Sequence, residues 1–405
     1  MGSVKRTLTS RGWSLAGAAL AMLMGARVLG VVELAMLAAA AGVAIVVAVV
    51  RVRRHRVRLE AQRALRPLRA EAGAMARADL VLTNRGERTS RVLAVTDSFD
   101  GGRRVARFLV PPMARGESTE AAYRLPTNRR GVYSVGPLVA SVTDPFGLAE
   151  TSVTLCENER FIVYPRIEQV LPMPGSANRE ARMGSRQASQ VPVGMDFRGL
   201  REYEVGDDLR RVHWRSTART GELMLRQDEM PWETRSTILL DTRPASHHAE
   251  SFERAVEVAA SLATAMCTGR RMVRFLTTGG VEIVSTGRDR YPSIMDYLAE
   301  TKPESKNRFS GVLDSLRRIG GGAPVAAITA NISGDDLNAL GALRARCNLV
   351  MIVNLRPSAY GGSGGGNAPA SVPGAMLVPV SSTIAFQDSW NGAVMTCQRS
   401  AAVHS

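Results

Sequence analysis

Two stretches free of charge, residues 12–26 and 34–50, constrain this chain more than any other feature. Lys5, Arg6 and Arg11 precede the first and Arg51, Arg53, Arg54 and Arg56 follow the second, while Arg27 and Glu33 are the only charges between them. The 17 residues of the second stretch suffice for one helix across a bilayer. The 15 of the first are short, but Arg27 can snorkel and let residues 28–32 complete the span. Residues 1–56 are therefore expected to form a transmembrane helical hairpin. A cleaved signal peptide is the weaker reading, because the apolar run outlasts a signal core and no small-x-small cleavage site follows it. Seven of the eight basic residues from Lys5 to Arg56 flank the hairpin. The positive-inside rule then puts both termini, and every folded domain after residue 56, in the cytoplasm.

The charge balance follows from the same feature. The chain carries a formal +15, yet residues 1–70 hold 12 Lys+Arg against 2 Asp+Glu and the remaining residues hold 40 against 35. The basic excess thus belongs to the membrane flank, and nucleic acid is not the expected partner. A hydrophobic fraction of 45% with 22% charged residues excludes a disordered chain, and 405 residues imply two or three folded units. The four cysteines, at 156, 267, 347 and 397, form no CxxC pair and read as reduced core residues.

Residues 57–170 alternate over short runs punctuated by turns, at residues 80–83, 91–95, 105–110 and 120–125, with no amphipathic helix among them. That pattern predicts an all-β sandwich of the immunoglobulin or fibronectin kind. Residues 171–195 are polar and aperiodic, a linker or mobile loop. In residues 196–230 charge is dense, but residues 171–230 carry ten arginines and nine acids, so the charges can pair. The local reading there is a strand to Glu204, a turn at Gly206, Asp207 or Asp208 capping a helix through Arg219, Gly221 stopping it, and a strand over 223–229. His213 and Ser216 stand at helical i, i+3 spacing with Asp207 and Asp208 nearby, which admits a nucleophile and base. Trp214 and the alternating arginines favour instead a packed polar lattice in which His213 donates to a backbone carbonyl. Asp208 with Arg210 and Arg211 reads as a cap with paired charges, or as a surface for an acidic partner. No catalytic residue is assigned, since neither Glu202 with Glu204 nor another carboxylate pair has acid–base spacing.

The run Arg201, Tyr203, Gly206, Asp207, Asp208, Arg210, Arg211, Trp214, Ser216, Ala218, Arg219 and Gly221 resembles the signature of the bacterial domain-of-unknown-function family 58 (DUF58). Leu8 to Trp13, Arg129 to Tyr133, Gly136-Pro137, Asp144 to Leu148 and Tyr164 to Arg166 resemble its long membrane-anchored members, so the likeness covers at least residues 5–241. No activity is established for that family. The resemblance implies a multi-pass protein of the bacterial cell membrane associated with MoxR-type AAA+ ATPases, sometimes with transglutaminase-like membrane proteins, in envelope or stress systems.

From residue 231 to 405 the pattern turns α/β, with apolar strands at 236–240, 272–276, 325–330 and 349–353 and an amphipathic helix over 249–267. This resembles a von Willebrand factor A-type fold, a doubly wound parallel sheet with its ligand site at the carboxyl ends of the strands. Metal-binding members of that fold carry Asp-x-Ser-x-Ser after the first strand. Here the matching positions are Asp241, Arg243 and Ala245, so Asp241 marks a degenerate site, with Thr242, Ser246 and Thr277 as substitute ligands. No metal and no cofactor is expected, and the glycine-rich run from Gly361 to Asn367 lacks the features of a phosphate cradle. Three functions fit. The first is a non-enzymatic membrane-anchored adaptor working with a MoxR-type ATPase. The alternatives are a metal-dependent protein-binding module built on the degenerate site, and a binder of anionic lipid or nucleic acid through the arginines between Arg51 and Arg69.

Overall fold

The computed structural model describes residues 4–54, 58–174, 196–202, 213–229, 234–267, 271–286, 291–304, 311–313, 316, 323–345, 347–355, 375–381 and 385–403. The chain divides into two compact units, Met1–Tyr164 and Pro165–Ser405.

The first unit opens with a short strand, β1 (Val4–Leu8), followed by α1 (Ser10–Leu29) and α2 (Val32–Arg54). The Thr9 hydroxyl accepts from the Gly12 backbone N–H at 3.1 Å and caps α1. Gly30 ends it with φ 71°, a left-handed conformation that glycine adopts without strain and that turns the chain into α2. Both helices are long and apolar enough to cross a membrane. Their apolar side chains are left bare, among them Leu20, Met24, Val28, Met36 and Val43.

The rest of the first unit is a β-sandwich: β2 (Leu59–Arg66), β3 (Arg69–Glu71), β4 (Ala76–Asn84), β5 (Leu93–Phe99), β6 (Arg104–Val110), β7 (Ser118–Leu125), β8 (Gly131–Thr143), β9 (Ala149–Cys156) and β10 (Glu159–Tyr164). Strands β2, β4 and β7 make one antiparallel sheet. The other runs β1-β9-β8-β10-β3, with β5 and β6 joined to β8. Alternation along β4 and β5 sends every second residue into the space between the sheets, where Leu80 and Leu82 meet Leu93, Val95, Leu138 and Ala140, and Ala78 meets Phe99, Val135 and Phe161.

β8, β9 and β10 were not singled out from the sequence, nor were β1, β2 and β3. In β2 the charges of Glu60, Arg63 and Arg66 hide an inward row of Leu59, Ala61, Arg63 and Leu65. β3 is three residues long. β1, ahead of the apolar segments, pairs antiparallel with β9, Leu8 opposite Ala149 and Val4 opposite Val153. Two of the arginines up to Arg69 are engaged within the sandwich: Arg63 is buried against Asp97 and Glu159, and Arg66 pairs with Asp79.

The second unit holds β11 (Asp196–Glu202), α3 (Trp214–Thr220) and β12 (Met224–Glu229), with β11 and β12 forming a separate antiparallel pair. It continues with β13 (Thr234–Leu240), α4 (Ala249–Met266), β14 (Arg271–Thr277), β15 (Glu282–Thr286), α5 (Tyr291–Glu300), β16 (Val325–Thr329), α6 (Gly334–Ala342), β17 (Val350–Leu355), β18 (Met376–Val380) and α7 (Phe386–Val403). The sheet order is β15-β14-β13-β16-β17-β18, parallel except for the antiparallel edge strand β15. Leu239, Leu276, Ala327 and Ile352 pack with Leu313, Leu340 and Leu343, while Phe275, in the alternate register, meets the Tyr297 ring of α5 at 5.9 Å. Apolar residues on both faces explain why these strands read as continuous hydrophobic runs.

The unit boundary refines the expected division at residue 170. Glu168 pairs with Arg254 on α4 and accepts from the Gln387 N–H on α7, and the Leu171 carbonyl accepts from the Trp390 indole at 2.7 Å. Residues 165–174 therefore pack on the second unit; residues 175–195, the remainder of the expected linker, lie outside the described residues. Cys267 is buried and Cys156, Cys347 and Cys397 half-buried, all four free, and burial pushes each thiol pKa up.

Candidate functional site

In a parallel sheet the ligand crevice lies beyond the carboxyl ends of the strands, where chain order reverses direction across the sheet. Here β13 is followed by β14 on one side and flanked by β16 on the other, so that point falls between β13 and β16. Asp241 is the first residue after β13 and is fully buried. Its backbone N–H bonds the Ile328 carbonyl at 2.9 Å, which draws it to the end of β16.

Five donors converge on the Asp241 carboxylate among the described residues. The Arg243 backbone N–H lies at 3.1 Å, its Nε at 3.0 Å and its Nη2 at 2.8 Å; the Thr278 hydroxyl donates at 3.2 Å and the Thr329 hydroxyl at 2.9 Å. Thr278 in turn accepts from the Thr242 N–H at 2.7 Å. The Arg243 guanidinium spans to a second carboxylate through Nη1, 3.0 Å from Asp336 in the first turn of α6, a helix capped by Ser333. Burial by itself raises the Asp241 carboxyl, but the hydrogen bonds and charge of Arg243 outweigh it and hold the group below the usual carboxylate range.

This geometry corrects part of the sequence reading. Arg243 does not merely repel a cation; its guanidinium takes the cation's place between two carboxylates. Of the substitute ligands, the Thr277 hydroxyl accepts from the Val281 N–H in a turn and Thr242 faces Thr278. Ser246 is buried in the short 3₁₀ turn Pro244–Ser246. The residues present do not fit a magnesium ion, because both Asp241 oxygens are committed to Arg243 and to threonine hydroxyls. Thr278 and Thr329 were missed from sequence: Thr278 is the neighbour of the residue that was named, Thr277, and Thr329 is a single hydroxyl residue at the end of β16, so only the strand order brings them to Asp241.

His247 is buried beside this cluster, edge-on to the Phe252 ring at 5.6 Å, and burial pushes its pKa down. Unfolded, the imidazole takes up a proton near pH 6.5. Folded, it stays neutral to lower pH, so the unfolded state binds more protons and stability falls as pH drops below about 6.5. His247→Gln is expected to flatten that limb in melts between about pH 7 and pH 5; an unchanged slope would refute the assignment.

The signature segment is described only in part. Tyr203, Gly206, Asp207, Asp208, Arg210 and Arg211 lie outside the described residues, and Arg201 sits in β11. The described helix starts at Trp214 with His213 in the N-cap position, and the expected cap at Asp207 or Asp208 lies outside the described residues. Gly221 ends it with φ 78°, as read from the sequence. His213 Nδ1 is 2.9 Å from the Ser216 hydroxyl, so the i, i+3 pair does meet. Trp214 is 69% exposed rather than packed in a lattice, and Ala218 and Arg219 are exposed too. The run from Gly361 to Asn367 lies outside the described residues.

Residues 199–358 match the family described as "Protein of unknown function DUF58". The matched span lies within the second unit and leaves residues 5–198, where the sequence likeness was also drawn, outside it. No curated protein matches the chain. Solved structures similar to 26% of the chain include the CARDB domain of the PF1109 protein from Pyrococcus furiosus, 12% identical over 92% of its own length with a TM-score of 0.20. They also include a beta-glucosidase from Listeria innocua, 14% identical over 16% of its length with a TM-score of 0.19. A third is the alkylpurine DNA glycosylase AlkC from Pseudomonas fluorescens, 12% identical over 30% of its length with a TM-score of 0.18. At these scores none of the three bears on what the chain does.

Proposed function

We propose that the chain is a membrane-anchored, non-enzymatic adaptor that works with a MoxR-type AAA+ ATPase. In this reading α1 and α2 both cross the bacterial cell membrane, and both termini and both folded units are cytoplasmic. The observation that carries it is the closed Asp241–Arg243–Asp336 cluster. It occupies the crevice where a sheet of this order would hold a metal or a substrate, with Thr242, Thr278 and Thr329 buried around it and the Arg243 side chain, 22% exposed, its most accessible member. We read the second unit as von Willebrand factor A-like on its strand order, with an internal cation in place of a bound one.

Membrane topology has a second support besides the basic flanks. β1 precedes α1 and pairs with β9, which follows α2. Strands on opposite sides of a bilayer cannot share a ladder, so two spanning helices that return the chain to one side satisfy the pairing. The ATPase partner rests on the resemblance of the signature segment.

The test is affinity purification of the full chain from its native membrane, with and without ATP. An AAA+ ATPase recovered in a nucleotide-dependent manner is the expected result. A chain recovered without any ATPase under both conditions would overturn the adaptor reading.

A further inference from the structure

Residues 144–148 form a rigid turn whose tip carries an exposed aromatic ring. The buried Asp144 carboxylate accepts from three backbone N–H groups, those of Phe146 at 2.9 Å and of Leu148 and Ala149 at 2.6 Å each. Gly147 closes the turn with φ 69°. Phe146 is nevertheless 74% exposed. A single exposed apolar side chain is ordinary on a protein surface, so what distinguishes Phe146 is its surroundings.

Those surroundings are the base of the helical hairpin. The Thr9 hydroxyl donates to the Gly147 carbonyl, and the Thr9 N–H donates to the Leu148 carbonyl at 3.0 Å. A Cβ on Gly12 would stand 2.2 Å from the Leu148 carbonyl oxygen, so this approach tolerates only glycine. Leu148 and Ala149 bury against Ala48 and Val52 of α2, with Leu15 of α1 and Ala44 packed around them. Ala48 is three residues inward of Arg51, about 4.5 Å along the helix, and Ala44 is about another turn deeper. The turn therefore reaches inside the level of the first basic residue, into the uncharged stretch. Trp13, one residue beyond Gly12, is 66% exposed at the same end of α1, and Arg11 and Arg51 are exposed as well.

We infer that the tip of this turn, Phe146, together with Trp13, is seated in the interfacial layer of the lipid bilayer, so that the sandwich rests on the membrane rather than hanging from it on a tether. This rests on the proposal that α1 and α2 span the membrane. Aromatic rings collect at that depth because one part of the interface is apolar and the other wet, and the exposed arginines meet anionic headgroups. The surface is continuous with the bare apolar helices, which makes lipid its occupant and not another protein.

The full chain in vesicles of phosphatidylethanolamine and phosphatidylglycerol, with the photocrosslinker p-benzoylphenylalanine in place of Phe146, Met24 or Val105 in turn, tests it. Met24 lies mid-helix and 64% exposed; Val105 is 52% exposed, and register through Ser98 and Phe99 puts it level with Val135, well along β8 from the turn. Lipid adducts from positions 146 and 24 and none from 105 are the expected result. Adducts from 24 alone would overturn the seated turn while leaving the spans intact. No adduct from 24 would overturn the spanning helices and this inference with them, and equal labelling at 105 and 146 would show that exposure rather than depth governs the reaction.

Discussion

Asp241→Ala is expected to lower the stability of the second unit by about 3 to 5 kcal/mol, the usual result of stripping one partner from a buried ion pair. The variant leaves Arg243, which has lost water to pack between two carboxylates, facing Asp336 alone, and it takes away the acceptor of the Thr278 and Thr329 hydroxyls. For a unit of this size that corresponds to a fall in melting midpoint of roughly 6 to 20 °C. Arg243→Ala should be of similar severity, because the fully buried Asp241 carboxylate then keeps only a backbone N–H and two threonine hydroxyls and no opposite charge. The double variant should cost well under the sum of the two, since the second change removes a charge already unpaired. Additive losses in thermal denaturation would mean that the two side chains do not act as a pair.

A comparable loss, again about 3 to 5 kcal/mol, is expected in the first unit for Asp97→Ala. Asp97 lies on the inward register of β5, between Val95 and Phe99, with its carboxylate wholly buried. Arg63, reaching across from the other sheet and only 2% exposed, donates to it at 3.0 Å, and the Tyr123 hydroxyl donates at 2.6 Å. Burial, with the Asp97 hydrogen bond second, pushes the Tyr123 phenol well above its ordinary pKa, so it remains a donor at every physiological pH. Arg63 further bonds the Glu157 carbonyl at 2.6 Å and the Glu159 carboxylate at 3.3 Å. Arg63→Met, which keeps volume but no charge, should destabilise nearly as much as Asp97→Ala, whereas Asp97→Leu with Arg63→Met should recover most of the loss. A double variant as unstable as either single one would indicate that packing, and not the unpaired charge, sets the cost.

Much of this organisation was legible in the chain because it is local. The uncharged runs, the alternation over β4 to β7, the long amphipathic α4 and the stop at Gly221 all show within a dozen residues. What escaped notice is non-local or disguised. β2 alternates, but its inward row includes Arg63, and a charged residue on a core register reads as surface until Asp97, 34 residues away, is seen opposite it. β1 is only five residues long and stands before a hydrophobic helix, so nothing in its own composition announces a partner 145 residues downstream in β9. The segments around Thr9 and Asp144 each stand out as motifs, and their contact, across 138 residues, explains why both are specified. In the second unit Asp241 and Arg243 were recognisable as a pair of positions, while the sign of their relation was not: the same guanidinium that argues against a metal also stabilises the carboxylate.

The claim on which the account turns is that Arg243 serves as the permanent cation of the strand-end crevice. Thermal melts of the full chain in millimolar magnesium and in chelator measure this directly, because an ion that bound the folded state alone would raise its midpoint by mass action. Coincident curves are the predicted result. A midpoint several degrees higher in magnesium, abolished by Asp241→Ala, would contradict it and make a metal-dependent binding module the correct description.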